Sequence, residues 1–342
     1  MEVLVTGGNG FVGHHVVQAL LDRGDPVRVL ALPSEDTAAL EQRGVAVHRG
    51  DICRPETLAT AMQGVDRVIH LAAMMHVWRP IRDYLAVNVT GTEHVCRAAL
   101  AAGVDRVVHM SSSSVYGMPT GQIADETFPL APFDDPYAVS KAASERLVQQ
   151  IIASDGLHAV ILRPDQIFGP GDQLHFGQMA DRLRAGRAIV VGRGDNAMPL
   201  VYVSDVVQAL LLALDHERAP GETFNITNDE PLTQEELLRS IAQEIGAKPP
   251  RVHVPFGPLY AAASVAERLS SWTRSHHRPP ITRFGVAFNA RDVRFSIDKA
   301  RNLLGYAPRV PLREGVRRTA AWYMTSTPAP MIAHSVESAA GA

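Results

Sequence analysis

"EVLVTGGNGFVGHHVVQALLDRG", residues 2–24, runs from a short apolar stretch through a cluster of glycines into apolar residues at helical spacing. So short an apolar stretch, bounded by glycines, reads as a buried strand. Gly24 closes the helical part, where glycine is a good stop. Between the two, Gly7, Gly10 and Gly13 stand at G-x-x-G-x-x-G spacing. In a strand–turn–helix unit the first glycine permits the tight turn, and the second lets a pyrophosphate approach the backbone. The third lets helix and strand pack closely. The helix N-terminus then faces the phosphates. This opening unit points to a dinucleotide site.

The same rhythm continues outward. "PVRVLAL", "VAVHRGD", "VDRVIHLAA", "VDRVVHM" and "LHAVILRP" read as further strands. "TAALEQRG", "PETLATAMQG", "YLAVNVTGTEHVCRAALAAG" and "PYAVSKAASERLVQQIIASDG" read as the helices between them. Strand and helix alternate, which predicts an α/β fold: a doubly wound parallel sheet covered by helices on both faces. After Pro164 the rhythm breaks into a Gly- and Pro-bearing loop, a helix at "MADRLRAGR", a strand running into a helix at "LVYVSDVVQALLLALD", and a strand at "ETFNIT". The expected organisation is a dinucleotide domain over 1–165, completed by about 200–226. A smaller substrate lobe follows from 166–199 and 227–324, with a disordered tail over 325–342.

The bulk numbers fit that frame. The chain has 342 residues, 46% apolar and 20% charged, ordinary for a globular protein. A formal net charge of -3 offers no electrostatic case for nucleic acid or an anionic membrane. No apolar run of about 18 residues is present, so no membrane span is expected. The N-terminus lacks a basic region before an apolar one, so no signal peptide is expected. Cys53 and Cys96 form neither a metal-ligand spacing nor a disulfide framework and fit a reducing, cytoplasmic compartment. The adjacent pairs His14–His15 and His276–His277 do not share a face of a helix or strand, so no metal site is expected.

Ribose recognition is expected at the end of the second strand, where an acid suits the 2′-hydroxyl of NAD and an Arg the 2′-phosphate of NADP. This chain has Ala31, Leu32, Pro33 and Ser34 there, and Arg28 lies too early in the strand, so NAD and NADP both stay open. Asp51 follows the third strand, as an acceptor for the adenine amine or as an N-cap or loop residue. Ala72 and Ala73 follow the fourth, at the ligand crevice.

"DDPYAVSK" begins a helix, with Asp135 as N-cap and Pro136 as first residue. Tyr137 and Lys141, four apart, project from one face. A phenol titrates near 10 and is a poor base at neutrality. A neighbouring ammonium and an oxidised nicotinamide would lower that value, and the pair could then move a proton to or from a hydroxyl. "MSSSSVYG", at the end of the fifth strand, would bring a hydroxyl into the same crevice to steady charge on a substrate oxygen.

Taken in order, "TGGNGFVG", "GDI" at 50–52, "HLAA", "NVTGT", "SSSSVYG", "YAVSK", "LRPDQIFGPGD" and "YVSDVVQALLLAL" resemble the extended short-chain dehydrogenase/reductase family over residues 1 to about 215. The resemblance implies Tyr137 as acid/base and Lys141 as the group that lowers its pKa and binds the nicotinamide ribose. It selects Ser112, four residues before the tyrosine of "VYG", as the catalytic hydroxyl, with Ser113 as fallback. Asn88 matches the family's helix asparagine, in a structural part. The expected contacts with NAD or NADP are Gly7, Gly10, Phe11, Val12, Gly13, Asp51, Ile52, Ala72, Ala73, Tyr137, Lys141 and Pro164. A homodimer through the helices around 90–103 and 137–152 is implied as well.

Within the family, nucleotide-sugar enzymes carry an Arg–Asp pair before the "YV" strand, where this chain has Met198 and Pro199. Arg193 is the possible substitute. The C-terminal "RPPITRFGVAF" and "FSIDKARNLLGYAPRVPLREGVRRTAAWY" resemble the branch of 3β-hydroxysteroid and sterol dehydrogenases and 3-ketoacid reductases. The expected function is an NAD(P)-dependent oxidoreductase on a secondary alcohol or ketone of a steroid-like or β-hydroxy/keto small molecule. The alternatives are a nucleotide-sugar epimerase/dehydratase with retained NAD and a catalytically silent binding protein on this fold.

Overall fold

The structure, a computed structural model, describes residues 1–75, 77–272 and 279–326. Seven strands form its sheet: β1 Val3–Thr6, β2 Val27–Ala31, β3 Ala46–Arg49, β4 Arg67–His70, β5 Arg106–Met110, β6 Ala159–Pro164 and β7 Thr223–Ile226. Their order is β7-β6-β5-β4-β1-β2-β3, every pairing parallel. The chain winds one way from β1 to β3 and the other way from β4 to β7. The crevice at the C-terminal ends of β1 and β4 is therefore the switch point where such sheets take ligands.

Strand alternation sorts the apolar residues into two cores. Val3, Val5, Val108 and Leu162 face α1 (Phe11–Asp22) and α8 (Val203–Asp215), packing with Val16, Val17, Leu20 and Leu210. Leu4, Val68, Val107 and Ile161 face the other way. They meet Leu58 of α3 (Pro55–Ala61), Val95 of α5 (Thr92–Ala102) and Val148 of α6 (Pro136–Asp155). Burial on both faces explains why these strands read as nearly continuous apolar runs. A short helix, α2 (Ala38–Glu41), links β2 to β3.

The long helix expected before β5 begins earlier, as α4 (Ile81–Leu85), and is interrupted. Residues Ala86–Gly91 form a wider π turn before α5 continues. Such a turn adds a residue and re-aims the side chains around it. Here it carries Asn88.

Beyond β6, strands Gln166–Phe168 and Leu200–Tyr202 pair, and a third core gathers around them. Phe168, Leu183, Leu237, Ile241 and Val316 bring in α7 (Gln178–Arg184), α9 (Gln234–Glu244) and α12 (Leu312–Thr325). The helix pair α10 (Phe256–Trp272) and α11 (Arg283–Ala290) lies against this lobe through a small cluster of Val191, Ala263 and Val286. Thr325 still belongs to α12; the tail expected over 325–342 falls, past Ser326, outside the described residues.

Candidate active site

Asp135 caps α6 as its sequence suggests, with Oδ1 accepting from the amides of Tyr137 at 3.0 Å and Ala138 at 3.2 Å. That cap fixes the first turn, and Tyr137 and Lys141 follow on one face. Ser112 ends the extended chain after β5 and caps the 3₁₀ turn Ser113–Tyr116, accepting from the Ser114 amide at 3.2 Å. Its hydroxyl stands near the Tyr137 phenol, where it favours the phenolate. The fallback, Ser113, is turned toward Asp165, whose buried carboxyl it favours in the ionised form.

Lys141 is 3% exposed and donates to the Met110 carbonyl at the end of β5. Burial pulls its pKa down to about 8, against the pull of Glu145. Burial also pushes the Tyr137 phenol up to about 12, against the lowering influence of the Ser112 hydroxyl. This differs from the expected lowering. The ammonium is aimed at a backbone carbonyl, so desolvation of the phenolate dominates in the protein alone.

Behind this face lies a buried network. Glu145, two turns beyond Tyr137, is wholly buried against Arg163 of β6. It accepts from Ser111 Oγ at 2.7 Å, so the carboxylate holds the strand end that leads to Ser112. Asn88 is also buried. Its Oδ1 accepts from the Met74 amide at 2.7 Å, and its Nδ2 donates to the Met74 carbonyl at 3.0 Å and to Ser140 Oγ at 2.9 Å. The π turn thus ties the segment after β4 to α6 beside Tyr137 and Lys141. Asp165, just past β6, is 5% exposed and raised to about 7 by burial.

The glycine loop separates requirements of packing from room for a ligand. Gly7 has φ +71°, and a Cβ there would sit 2.8 Å from the Ala72 amide nitrogen. A Cβ on Gly13 would sit 2.1 Å from the Gly7 carbonyl oxygen. A Cβ on Gly10 would meet only that oxygen, at 3.2 Å, so a ligand phosphate could use the space that packing leaves. Phe11 and Val12 occupy the adjoining first turn of α1. Thr6 Oγ1 accepts from the Ala72 amide at 3.2 Å, joining the loop strand to Ala72 and Ala73. Asp51 braces its own turn through the Cys53 amide at 2.8 Å, while Arg54 holds the N-cap position of α3. Ile52 packs beside Gly91, and Pro164 ends β6 opposite Ile226 of β7. These residues meet at one sheet edge, a cradle that fits a dinucleotide.

In front of Tyr137 opens a cavity of about 640 Å³. Val77, Trp78 and Arg79 line it beside Tyr84 of α4. Ser264, Glu267 and Arg268 of α10 and Arg283 and Phe284 of α11 close it. Arg283 is paired with Glu267 and Asp134 at 2.6 and 3.2 Å. Arg79 and Arg268 have no ion-pair partner among the described residues. The wall could not be read from sequence, because it joins segments far apart in the chain. Glu145 was within reach, standing four residues past Lys141 on the same helical face.

Other expected residues lie away from this place. Arg28 donates to the Ala61 and Gln63 carbonyls and pairs with Glu2. Arg193 is a surface residue paired with Asp195 at 2.9 Å. Met198 is buried in the lobe core. Among the described residues no cluster of His, Cys, Asp and Glu could hold a metal ion, and no helix is long and apolar enough to cross a membrane. His276–His277 lies outside the described residues.

Comparison with known proteins agrees with this geometry. The NAD dependent epimerase/dehydratase family model matches residues 3–227. The chain is 36% identical to a 2-alkyl-3-oxoalkanoate reductase of Stenotrophomonas maltophilia, over 94% of this chain and 99% of the relative. It is 33% identical to a 3 beta-hydroxysteroid dehydrogenase/Delta 5-->4-isomerase of Mycobacterium tuberculosis, over 95% of this chain and 90% of that one. Among solved structures, a Thermus thermophilus UDP-glucose 4-epimerase in complex with NAD superposes with a TM-score of 0.75 at 29% identity, covering 96% of this chain and all of the other.

Proposed function

The chain belongs to the NAD dependent epimerase/dehydratase family, and from that premise we propose that it is an NAD(P)-dependent oxidoreductase interconverting a secondary alcohol and a ketone. One observation carries the reading. The Tyr137 phenol, with the Ser112 hydroxyl near it, opens onto a cavity, while Lys141 is buried one turn further along the same helix. Gly7, Gly10, Gly13, the first turn of α1, Ala72, Ala73 and Pro164 would hold the dinucleotide, and Lys141 its nicotinamide ribose. When bound, the nicotinamide supplies or accepts the hydride.

The chain's own residues handle the proton. At about 12, the phenol is protonated across the neutral range, which suits giving a proton to a ketone oxygen. Ser112 orients that oxygen and steadies its charge. The Lys141 ammonium favours the phenolate left behind. Asn88, Glu145 and Arg163 hold these groups in register.

The wall narrows the substrate. Trp78, Tyr84 and Phe284 offer apolar surface, and Arg79 and Arg268 offer positive charge that is without an ion-pair partner among the described residues. That combination favours a β-hydroxy or β-keto acid with an apolar substituent over a neutral steroid. Met198 in the lobe core and Arg193 on the surface leave no sugar-nucleotide phosphate clamp at those positions. A homodimer through α5 and α6 belongs to the same proposal, where Ile81 and Leu85 stand exposed one turn apart on the adjoining α4. So does a cytoplasmic setting, in keeping with the free thiols of Cys53 and Cys96.

The test is a panel of 3-oxo acids, steroid ketones and UDP- and dTDP-sugars offered with NADH and NADPH. Net nicotinamide oxidation with a 3-oxo acid is expected. Conversion of a sugar nucleotide with no net nicotinamide change would sink the reading in favour of an epimerase.

A further inference from the structure

Strand alternation places Thr6 and His70 on the sheet face that carries Leu4 and Val68, two residues further along β1 and β4. His70 is 1% exposed, and both of its ring nitrogens have partners. Nδ1 stands 2.7 Å from Thr6 Oγ1, and Nε2 stands 3.0 Å from Oγ1 of Thr92, the first residue of α5.

The neighbours fix which nitrogen carries the proton. Thr92 Oγ1 donates its one hydrogen to the Asn88 carbonyl at 2.8 Å, so toward His70 it can only accept. Nε2 is therefore protonated, and Nδ1 accepts from Thr6 Oγ1. That oxygen in turn accepts from the Ala72 amide at 3.2 Å. An imidazolium would leave the Thr6 proton without an acceptor. Burial, helped by Lys141, pulls the ring down to about 3. Beyond Asn88 the run keeps its sense. Nδ2 donates to Ser140 Oγ at 2.9 Å, and Ser140 Oγ donates to the Tyr137 carbonyl at 2.8 Å. Every donor points from the crevice of Gly7 and Ala72 toward the first turn of α6. Thr6, His70, Asn88, Thr92 and Ser140 are all buried, so bulk water does not make good a broken link.

We infer that His70 is a positioning residue that, protonated at Nε2 alone, sets Tyr137 in register with the dinucleotide crevice. The inference rests on the oxidoreductase reading above and adds the group that joins its proton-transfer side to its cofactor side.

Nitrogen-15 NMR of the histidine-labelled full chain reads the tautomer without turnover. A neutral ring protonated at Nε2 is expected at neutral pH. Substitution reads the role. The amide of His70→Gln reaches the place of Nε2 and can donate to Thr92. The amide of His70→Asn reaches only the place of Nδ1 and can meet Thr6 alone. His70→Asn should lower kcat for a 3-oxo acid by about tenfold, with NAD⁺ and NADP⁺ affinities in calorimetric titration changed by less than about threefold. His70→Gln should recover most of that turnover. Thr92→Val should lower kcat as much as His70→Asn does, and the double variant no further than either. A ring protonated at Nδ1, equal kcat in His70→Asn and His70→Gln, or losses that multiply in the double variant would overturn the role of His70 while leaving the oxidoreductase reading intact. A wild type that binds dinucleotide yet reduces no ketone would overturn that reading and the positioning role with it.

Discussion

On the sheet side of Tyr137, Ser111 donates to Glu145, Glu145 is locked to Arg163, and Asn88 joins Met74 to Ser140, all buried. On the lobe side, Trp78, Tyr84 and Phe284 leave open space between them, and Arg79 and Arg268 line it without ion-pair partners among the described residues. The first region has spent its polar groups on holding atoms still. The second leaves charge and apolar surface lining open space. On the proposed function, the contrast separates two tasks: the sheet side would set the geometry of proton transfer, and the lobe side would select what receives the proton.

Substitutions on each side should fail differently. Arg163→Met leaves the wholly buried Glu145 carboxylate unpaired, and should cost about 3–5 kcal/mol of stability in chemical denaturation. Tyr137→Phe should lower turnover by on the order of a hundredfold or more while dinucleotide affinity is kept, as titration would show. Equal loss of binding would mean that the phenol is part of the frame and not of the chemistry.

Asp165 tests the sheet side through pH. Its pKa is raised from the usual carboxyl range to about 7, so the folded protein binds a proton there that the unfolded chain does not, between pH 4 and 7. Wild-type stability therefore falls as pH rises through that window. Asp165→Asn should be the more stable protein above pH 7 and lose its advantage below pH 4, by melting temperature at each pH. The mildest change is on the lobe side. Arg79→Gln should raise KM for a β-keto acid by about tenfold, the loss of one charge-assisted hydrogen bond, with kcat and the KM for the corresponding ester little changed.

The legible parts of this molecule were those governed by local spacing. The glycine loop and the strands β1 to β6 follow from periodicity and from backbone demands such as those at Gly7 and Gly13. Tyr137 and Lys141 follow from the four-residue helical repeat. What stayed hidden depends on neighbours in space. Ser113 comes beside Asp165 because β5 and β6 lie side by side, and the cavity joins Arg79 to Arg268 across most of the chain. Residues 86–91 have unremarkable helical composition, and their π turn follows from the packing of Asn88 against Met74 and Ser140. The direction of the Tyr137 shift turned on where the Lys141 ammonium points, which spacing alone does not state.

The most direct test follows the transferred hydrogen. A 2-alkyl-3-oxo acid is offered with reduced nicotinamide deuterated at the transferring position, to the wild type and to Tyr137→Phe. The account predicts one deuterium at the carbinol carbon of each product molecule from the wild type, and almost no product from the variant in the same time. Product lacking that deuterium, or formed as fast by Tyr137→Phe, would contradict it.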